Sequence, residues 1–289
     1  MEVKLRELYQ DRASEQDTLG ILIIEKDKGH EAITDRNDVI LLVIKEENSE
    51  PWFVKHYEFM DKKVAMHHVD EQLLHNWIIT GNNRRFIDWL FNGKIIFDRN
   101  EYLAGIKHRL HDFPLEERRK KMTIELSKLV RRFEDGKALY QTNNYLDAFN
   151  HILHALHHKA RLAVIESGFY PEVTVWNQIK NIDPEIYKLY TELITGEESL
   201  EKRMELLMLA SEFAISQKLE VGSGHLIEVM NRRHEPWTIA DLMAVTEIED
   251  YKIDIELLID YLVQKEIITV VAVETKGAGI YHRYYTVKN

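Results

Sequence analysis

The stretch Thr34-Asp35-Arg36-Asn37-Asp38-Val39-Ile40-Leu41-Leu42-Val43-Ile44 decides the reading of the first third of the chain. Polar residues run straight into six aliphatic ones, with no alternation between the two kinds. A half-exposed strand alternates because successive side chains face opposite sides of the sheet. An unbroken run such as Val39 to Ile44 marks instead a central strand covered on both faces. Working outward, Leu19 to Ile24 is a second short apolar run that suits a buried strand. Trp52 to Phe59 and Lys63 to Val69 are strand candidates around the turn residues Asp61 and Lys62, and Lys94 to Asp98 reads as a last edge strand. Glu71 to Ile79 and Arg84 to Phe91 read as short helices broken at Gly81-Asn82. Residues 1 to about 17 read as a polar helix, and Gly29 marks a turn in the polar loop before Thr34.

The composition limits what such a protein does. At 289 residues, 45% hydrophobic and 30% charged, the chain can bury two or three cores. It has no cysteine, which excludes disulfides, thiolate metal sites and cysteine nucleophiles. No apolar run approaches the ~20 residues of a membrane span, and the start, Met1-Glu2-Val3-Lys4-Leu5-Arg6, mixes charges where a secretory signal is apolar. These features lead us to expect a cytoplasmic location and no membrane partner. The net charge of −11 argues against a general nucleic-acid binder. The densest basic run, Arg118-Arg119-Lys120-Lys121, reads as a solvated helix face.

Thr34 to Ile44 resembles the nucleotidyltransferase superfamily that includes the aminoglycoside-modifying enzymes. That family reads Gly-Ser, a polar loop, then Ser-Asp-x-Asp before an aliphatic strand. Two aspartates on one face of the strand, with a third carboxylate on a neighbouring strand, hold two Mg²⁺ ions that clamp the nucleotide phosphates. Registering Leu41-Leu42-Val43 on the family's aliphatic run puts Asp38 at the first aspartate and Ile40 at the second. Asp35 lies three residues from Asp38, so the two cannot share a face of a regular strand. The preceding loop, Glu25-Lys26-Asp27-Lys28-Gly29-His30, lacks the Gly-Ser pair. The strand Val64 to Val69, where the third carboxylate belongs, carries no acid. The resemblance continues through His68-Val69-Asp70-Glu71-Gln72-Leu73-Leu74 and Gly93-Lys94-Ile95-Ile96-Phe97-Asp98, and covers about the first 105 residues. It implies a kept scaffold with a reduced metal triad, Asp38 and Asp35 being the vestigial catalytic candidates. Mg²⁺ is implied only on an alternative reading, an active enzyme with rearranged ligands Asp35, Asp38 and Asp98; otherwise the cofactor stays unassigned.

From Glu116 the periodicity turns helical. Met122, Leu126, Leu129, Val130 and Phe133 make one stripe, with Asp135-Gly136 as a permitted bend. Asn144 is placed to cap a long helix that closes at Gly168 before Pro171. Helices at Pro184 to Thr195 and Leu200 to Lys218 follow, and Gly222-Ser223-Gly224 is the most linker-like stretch. The tail predicts a helix at His225 to Arg232, a Thr238-capped helix, a helix from Asp250 to Glu266, and a hairpin from Ile267 to Val287. That order is a winged helix. The helical region is similar to the bundles that accompany small nucleotidyltransferases, and the three-part order resembles a group of nucleotidyltransferase-like proteins of Gram-positive bacteria. The expected class is therefore α+β, a mixed sheet with helices, then a helical bundle, then a winged helix, with domains at 1–112, 113–221 and 222–289.

Further candidate positions carry their own chemistry. Thr34, at the head of the loop, and Arg84 and Arg85, at a helix start after Gly81-Asn82-Asn83, are the candidate nucleotide-binding residues, since free backbone N–H groups at a helix N-terminus attract phosphate. A solvated helix start is the competing reading. His154 and His158, one helical turn apart with His151 a turn earlier, are candidate metal ligands, against histidines that line the bundle. Asp98 is a candidate metal ligand, against a carboxylate bonded into the following turn. In the tail, the helix expected to read DNA offers Asp250, Asp254, Glu256 and Asp260 after Glu247 and Glu249, which repels phosphate. A protein or intramolecular contact is favoured there over DNA. The reading as a whole is a nucleotidyltransferase-like protein, catalytically degenerate, that binds a nucleotide or partner in a regulatory role. The alternatives are the active enzyme above and a DNA-binding regulator.

Overall fold

A computed structural model describes residues 2–26 and 33–288. The turn expected at Gly29, and residues Asp27, Lys28 and His30 beside it, lie outside the described residues. The chain divides into two compact units, Met1–Pro114 with Tyr170–Val173, and Leu115–Phe169 with Thr174–Asn289.

The first unit runs α1 (Glu2–Ser14), β1 (Thr18–Glu25), β2 (Val39–Lys45), β3 (Trp52–Phe59), β4 (Lys62–Asp70), α2 (Glu71–Thr80), α3 (Arg84–Asn92), β5 (Lys94–Asp98) and α4 (Tyr102–Asp112). The sheet order is β3-β4-β2-β1-β5, so the uninterrupted aliphatic strand is the middle one and β5 is an edge. β2 is parallel to β4 and antiparallel to β1. Every residue from Val39 to Ile44 is fully buried. Strand alternation sends Val39, Leu41 and Val43 into a cluster with Leu5 and Tyr9 of α1 and with Ile21, Val64 and Met66. Ile40, Leu42 and Ile44 face the other side. His67, paired with Leu42 across the register, shares that side and meets Phe86 and Trp89 of α3. Burying each such aliphatic side chain stabilises the fold by about 1.5–3 kcal/mol, which makes this strand the anchor of the unit. The β3–β4 hairpin turns at Met60 and Asp61, both at positive φ, one residue earlier than the sequence suggests.

The second unit holds α5 (Leu115–Gln141), α6 (Tyr145–Glu166), α7 (Val175–Ile182), α8 (Pro184–Thr195), α9 (Leu200–Gly222), α10 (Gly224–Met230), α11 (Ile239–Met243), α12 (Ile255–Gln264), β6 (Ile268–Glu274) and β7 (Tyr281–Val287). Several expectations change here. α5 runs through Gly136 without a break. A Cβ there would sit 2.8 Å from Ile152 Cδ1, so the glycine lets α5 and α6 approach closely. Asn144 occupies the cap position of α6, but its side-chain amide donates to Thr142 Oγ1 instead of capping the helix. The helix expected from Asp250 begins only at Ile255, preceded by two short 3₁₀ turns. The capping Thr238 is in place, accepting from Asp241 N while the Asp241 carboxylate accepts from Thr238 N. Trp237 pairs with Tyr285 as a third short strand against the hairpin.

Gly222-Ser223-Gly224 is no loose linker. Ser223 is fully buried, Thr123 Oγ1 donates to Gly222 O at 2.7 Å, and a Cβ on Gly222 would lie 3.0 Å from Leu126 Cδ2. The basic run on α5 is not a solvated face either. Lys121 is buried, Lys120 pairs with Asp250 at 2.6 Å and Arg119 with Glu228 at 3.6 Å.

Candidate functional site

The loop that enters β2 is held by its own side chains. Thr34 Oγ1 donates to Asn37 O at 2.9 Å, and Asn37 N and Nδ2 both donate back to Thr34 O. The Thr34 hydroxyl, a candidate for nucleotide contact, is thus buried and spent on the turn. Asp35 and Arg36 follow at positive φ, 48° and 63°. Asp35 projects outward and forms an ion pair with Arg85, so one of the two candidate phosphate-binding arginines leans on one of the two candidate catalytic acids. Both side chains are largely exposed, where such a pair adds little to stability. Arg84 and Arg85 open α3 as expected.

Asp38 stands just before β2. Its carboxylate accepts from Lys63 N at 2.9 Å, and its own N–H donates to Lys63 O at 2.8 Å, which fastens the start of β2 to β4. Two positions on, Ile40 lies fully buried beside Ala65 of β4. The position that the family pattern gives to a second carboxylate is therefore hydrocarbon, and its neighbour on the adjacent strand is a methyl group. Two magnesium ions need several oxygen ligands among protein and substrate, and the residues present here do not fit that group.

Asp98 is separated from Asp38 by the sheet itself. In the register Asp98 pairs with Gly20, which pairs with Ile44. Asp98 is thus level with the far end of β2, about 20 Å along the strand from Asp38 at ~3.3 Å per residue. As a ligand converging with Asp38 it is misplaced. Its two oxygens instead accept from Leu103 N at 2.8 Å and Ala104 N at 3.1 Å, capping α4. Asp98→Ala is expected to lower stability by about 1–2 kcal/mol and to leave Mg²⁺ affinity unchanged. Urea unfolding and calorimetric Mg²⁺ titration check the two halves.

Around His67 of β4, Trp52, Trp77, Phe86 and Trp89 make an aromatic cluster that sequence reading missed. Trp52 Nε1 donates to His67 Nδ1 at 3.3 Å, and Phe86 and Trp89 stand edge-on to the imidazole with centroids 5.7 and 4.8 Å away. Burial pushes the His67 imidazole down to about 4, with His56 and His68 adding to the effect, so it is neutral at physiological pH. His68 points to the opposite face and stacks on Phe53 at 4.4 Å. Adjacent residues of a strand face opposite sides of the sheet, which is why the two histidines do not meet.

In the helical unit, the acid that the histidines lacked in the sequence arrives from α5. His158 Nδ1 lies 2.7 Å from Glu125 Oε2, and Arg161 Nη1 lies 3.7 Å from the same oxygen. Burial opposes the charge on Glu125, but the His158 hydrogen bond and the charges of His158 and Arg161 hold its carboxyl down to about 2. His154 is exposed on the same helix. Among the described residues no group of three or more His, Cys, Asp or Glu is placed to hold a metal ion. The His154–His158 pair is therefore not part of such a cluster, and His158 serves an ionic network. Sequence reading missed this network; an acid at Glu125, inside the apolar stripe from Met122 to Phe133, marks a buried charge but not its partner.

In the tail, the acids that lead into α12 are turned toward the bundle. Asp250 pairs with Lys120, and Arg131 Nε donates to Asp254 at 2.8 Å while its Nη2 donates to Ile253 O. Asp260 pairs with Arg283 of β7 at 3.1 Å. Among the described residues, no helix is long and apolar enough to cross a membrane.

Comparison with known proteins matches three family models in turn along the chain. A family model described as nucleotidyltransferase-like matches residues 1–118, one described as a YgxA-like substrate binding domain matches 119–218, and one described as a helix-turn-helix domain matches 224–287. The uncharacterized protein YgxA of Bacillus subtilis (strain 168) is 46% identical over 288 residues, 100% of this chain and 98% of that protein. A crystal structure of a nucleotidyltransferase-like protein from Exiguobacterium sibiricum 255-15 is 41% identical, with a TM-score of 0.84 and 99% of each chain covered.

Proposed function

The chain belongs to the nucleotidyltransferase-like family that includes YgxA, and on that premise we propose that it is a ligand-binding regulatory protein on a transferase scaffold. The observation that carries this reading is Ile40, fully buried beside Ala65 where the family pattern sets a metal-binding acid. Without paired carboxylates there is no clamp for the metal ions on which phosphoryl transfer depends. The nucleotide or partner would meet the first module, residues 1–112, at the Asp35–Arg85 rim and the start of α3. The second module, 113–221, takes a small ligand, a role supported by its match to a substrate-binding family. The third, 222–289, acts through protein contacts within the chain. The pairing of Asp250 and Asp254 with Lys120 and Arg131 supports a protein contact over DNA. We place the protein in the cytoplasm, consistent with a chain free of cysteine.

The test is direct. With labelled ATP or GTP and Mg²⁺, no nucleotide transfer to protein, RNA or small acceptors is expected. Transfer that Asp38→Ala abolishes would overturn the proposal. Binding of the tail to duplex DNA at low salt, falling steeply as salt rises, would overturn the reading of the third module.

A further inference from the structure

α6, α8 and α9, with Leu129 of α5, line an open-mouthed cavity of about 490 Å³. That is the size of a pocket for one small organic ligand. Its walls are largely hydrocarbon, including Leu162, Ile186, Leu189 and Phe213. Most of the charged groups around it are already engaged. Glu166 pairs with Lys218 at 2.8 Å, Lys188 with Glu192 at 3.7 Å, and Asp183 Oδ1 accepts from Ile186 N at 3.1 Å.

Lys159 is different. It lines the cavity with only 7% of its surface exposed, and the acids that act on it, Asp183 and Glu185, do so through space and not through a hydrogen bond. An ammonium on a largely buried side chain is unfavourable unless counter-charge or hydrogen bonds offset its desolvation. Burial pushes the Lys159 amine down to about 8 while the charges of Asp183 and Glu185 oppose the shift, so the group is still mainly an ammonium at neutral pH.

We propose that this cavity binds a small amphipathic acid, its single carboxylate on Lys159 Nζ and its hydrocarbon body along Leu162, Ile186, Leu189 and Phe213. The proposal rests on the reading of residues 113–221 as the ligand-binding module and names the chemistry of that ligand. The head group carries one charge because the lining holds four carboxylates, Glu166, Asp183, Glu185 and Glu192, against three lysines. A nucleotide triphosphate would meet strong net repulsion there, whereas a single carboxylate can hydrogen-bond to Lys159, whose desolvation Asp183 and Glu185 offset only in part.

Isothermal titration of the full chain with octanoate, 1-octanol and octylammonium decides the matter. Octanoate is expected to bind at one site at least tenfold more tightly than octanol, with octylammonium the weakest of the three. Lys159→Met keeps the length of the side chain and should bring octanoate down to the affinity of octanol, with the thermal melt preserved or raised. Absence of octanoate binding, equal affinity for octanoate and octanol, or an octanoate affinity unchanged in a folded Lys159→Met variant would each overturn the proposal. If that variant fails to fold, the octanoate-to-octanol ratio in the unaltered protein decides alone. Nucleotide transfer observed beside tight octanoate binding would remove the non-catalytic reading and leave this one standing. Loss of octanoate preference without transfer would do the reverse.

Discussion

Glu125→Ala is expected to lower the stability of the protein by about 3–5 kcal/mol, the usual result of removing one partner from a buried ionic pair. Glu125 is almost inaccessible, and its carboxylate is the counter-charge for His158 at 2.7 Å and Arg161 at 3.7 Å. Alanine leaves a guanidinium and an imidazole facing a hydrocarbon gap between α5 and α6. The same network predicts acid sensitivity. The carboxyl is held below its ordinary 4.5, at about 2. A group depressed in the folded state contributes stability that is full above the unfolded value and fades as pH falls through the folded one. The stabilisation should therefore be complete above about pH 5 and decline toward pH 2, and Glu125→Ala should flatten that part of the profile. Urea unfolding at a series of pH values measures both effects. A loss below about 1 kcal/mol would show that His158 and Arg161 find other partners.

The second large effect is expected from Ile40→Asp, the change that would supply the second acid of the family pattern. Ile40 is fully buried in the central strand, flanked by Ile24 and Ala65. The change forfeits about 2–3 kcal/mol of aliphatic burial and adds the desolvation of a carboxyl group, for a combined loss on the order of 5 kcal/mol. The new group should also titrate well above the ordinary carboxylate range, because burial disfavours its charge. A variant that stays within 1 kcal/mol of the parent and gains Mg²⁺ affinity would mean that the position is open to solvent and that two acids suffice to hold the ion there.

The sequence made the sheet legible because buried strands advertise themselves. Six aliphatics in a row at Val39 to Ile44, bounded by polar turns, read as a strand covered on both faces, while its register, with Ile40 beside Ala65, came only with the structure. α4 escaped notice, although Leu103, Ile106 and Leu110 carry its apolar stripe, because Lys107, His108, Arg109 and His111 surround them with charge. α7 escaped because a helix of eight residues spans barely two turns. What lay beyond reach were partnerships between distant segments. Glu125 and His158 are 33 residues apart, and Arg131 finds Asp254 across 123. Nothing local in the chain marks which side chains fold back on which. Lys159 was invisible for the same reason. A lysine on a helix reads as solvated until the neighbouring helices are placed around it.

The junction at Gly222, Ser223 and Gly224 has a practical meaning. Recombinant fragments are often trimmed where a sequence shows two glycines around a serine, yet here that spot has no perforation. Ser223 is sealed from water and Thr123 holds the carbonyl beside it, so scissors placed there would cut through a seam of the helical core. The tail is therefore a poor cassette for swapping between proteins. A protease that nicks exposed loops should spare residue 223 until the bundle itself melts.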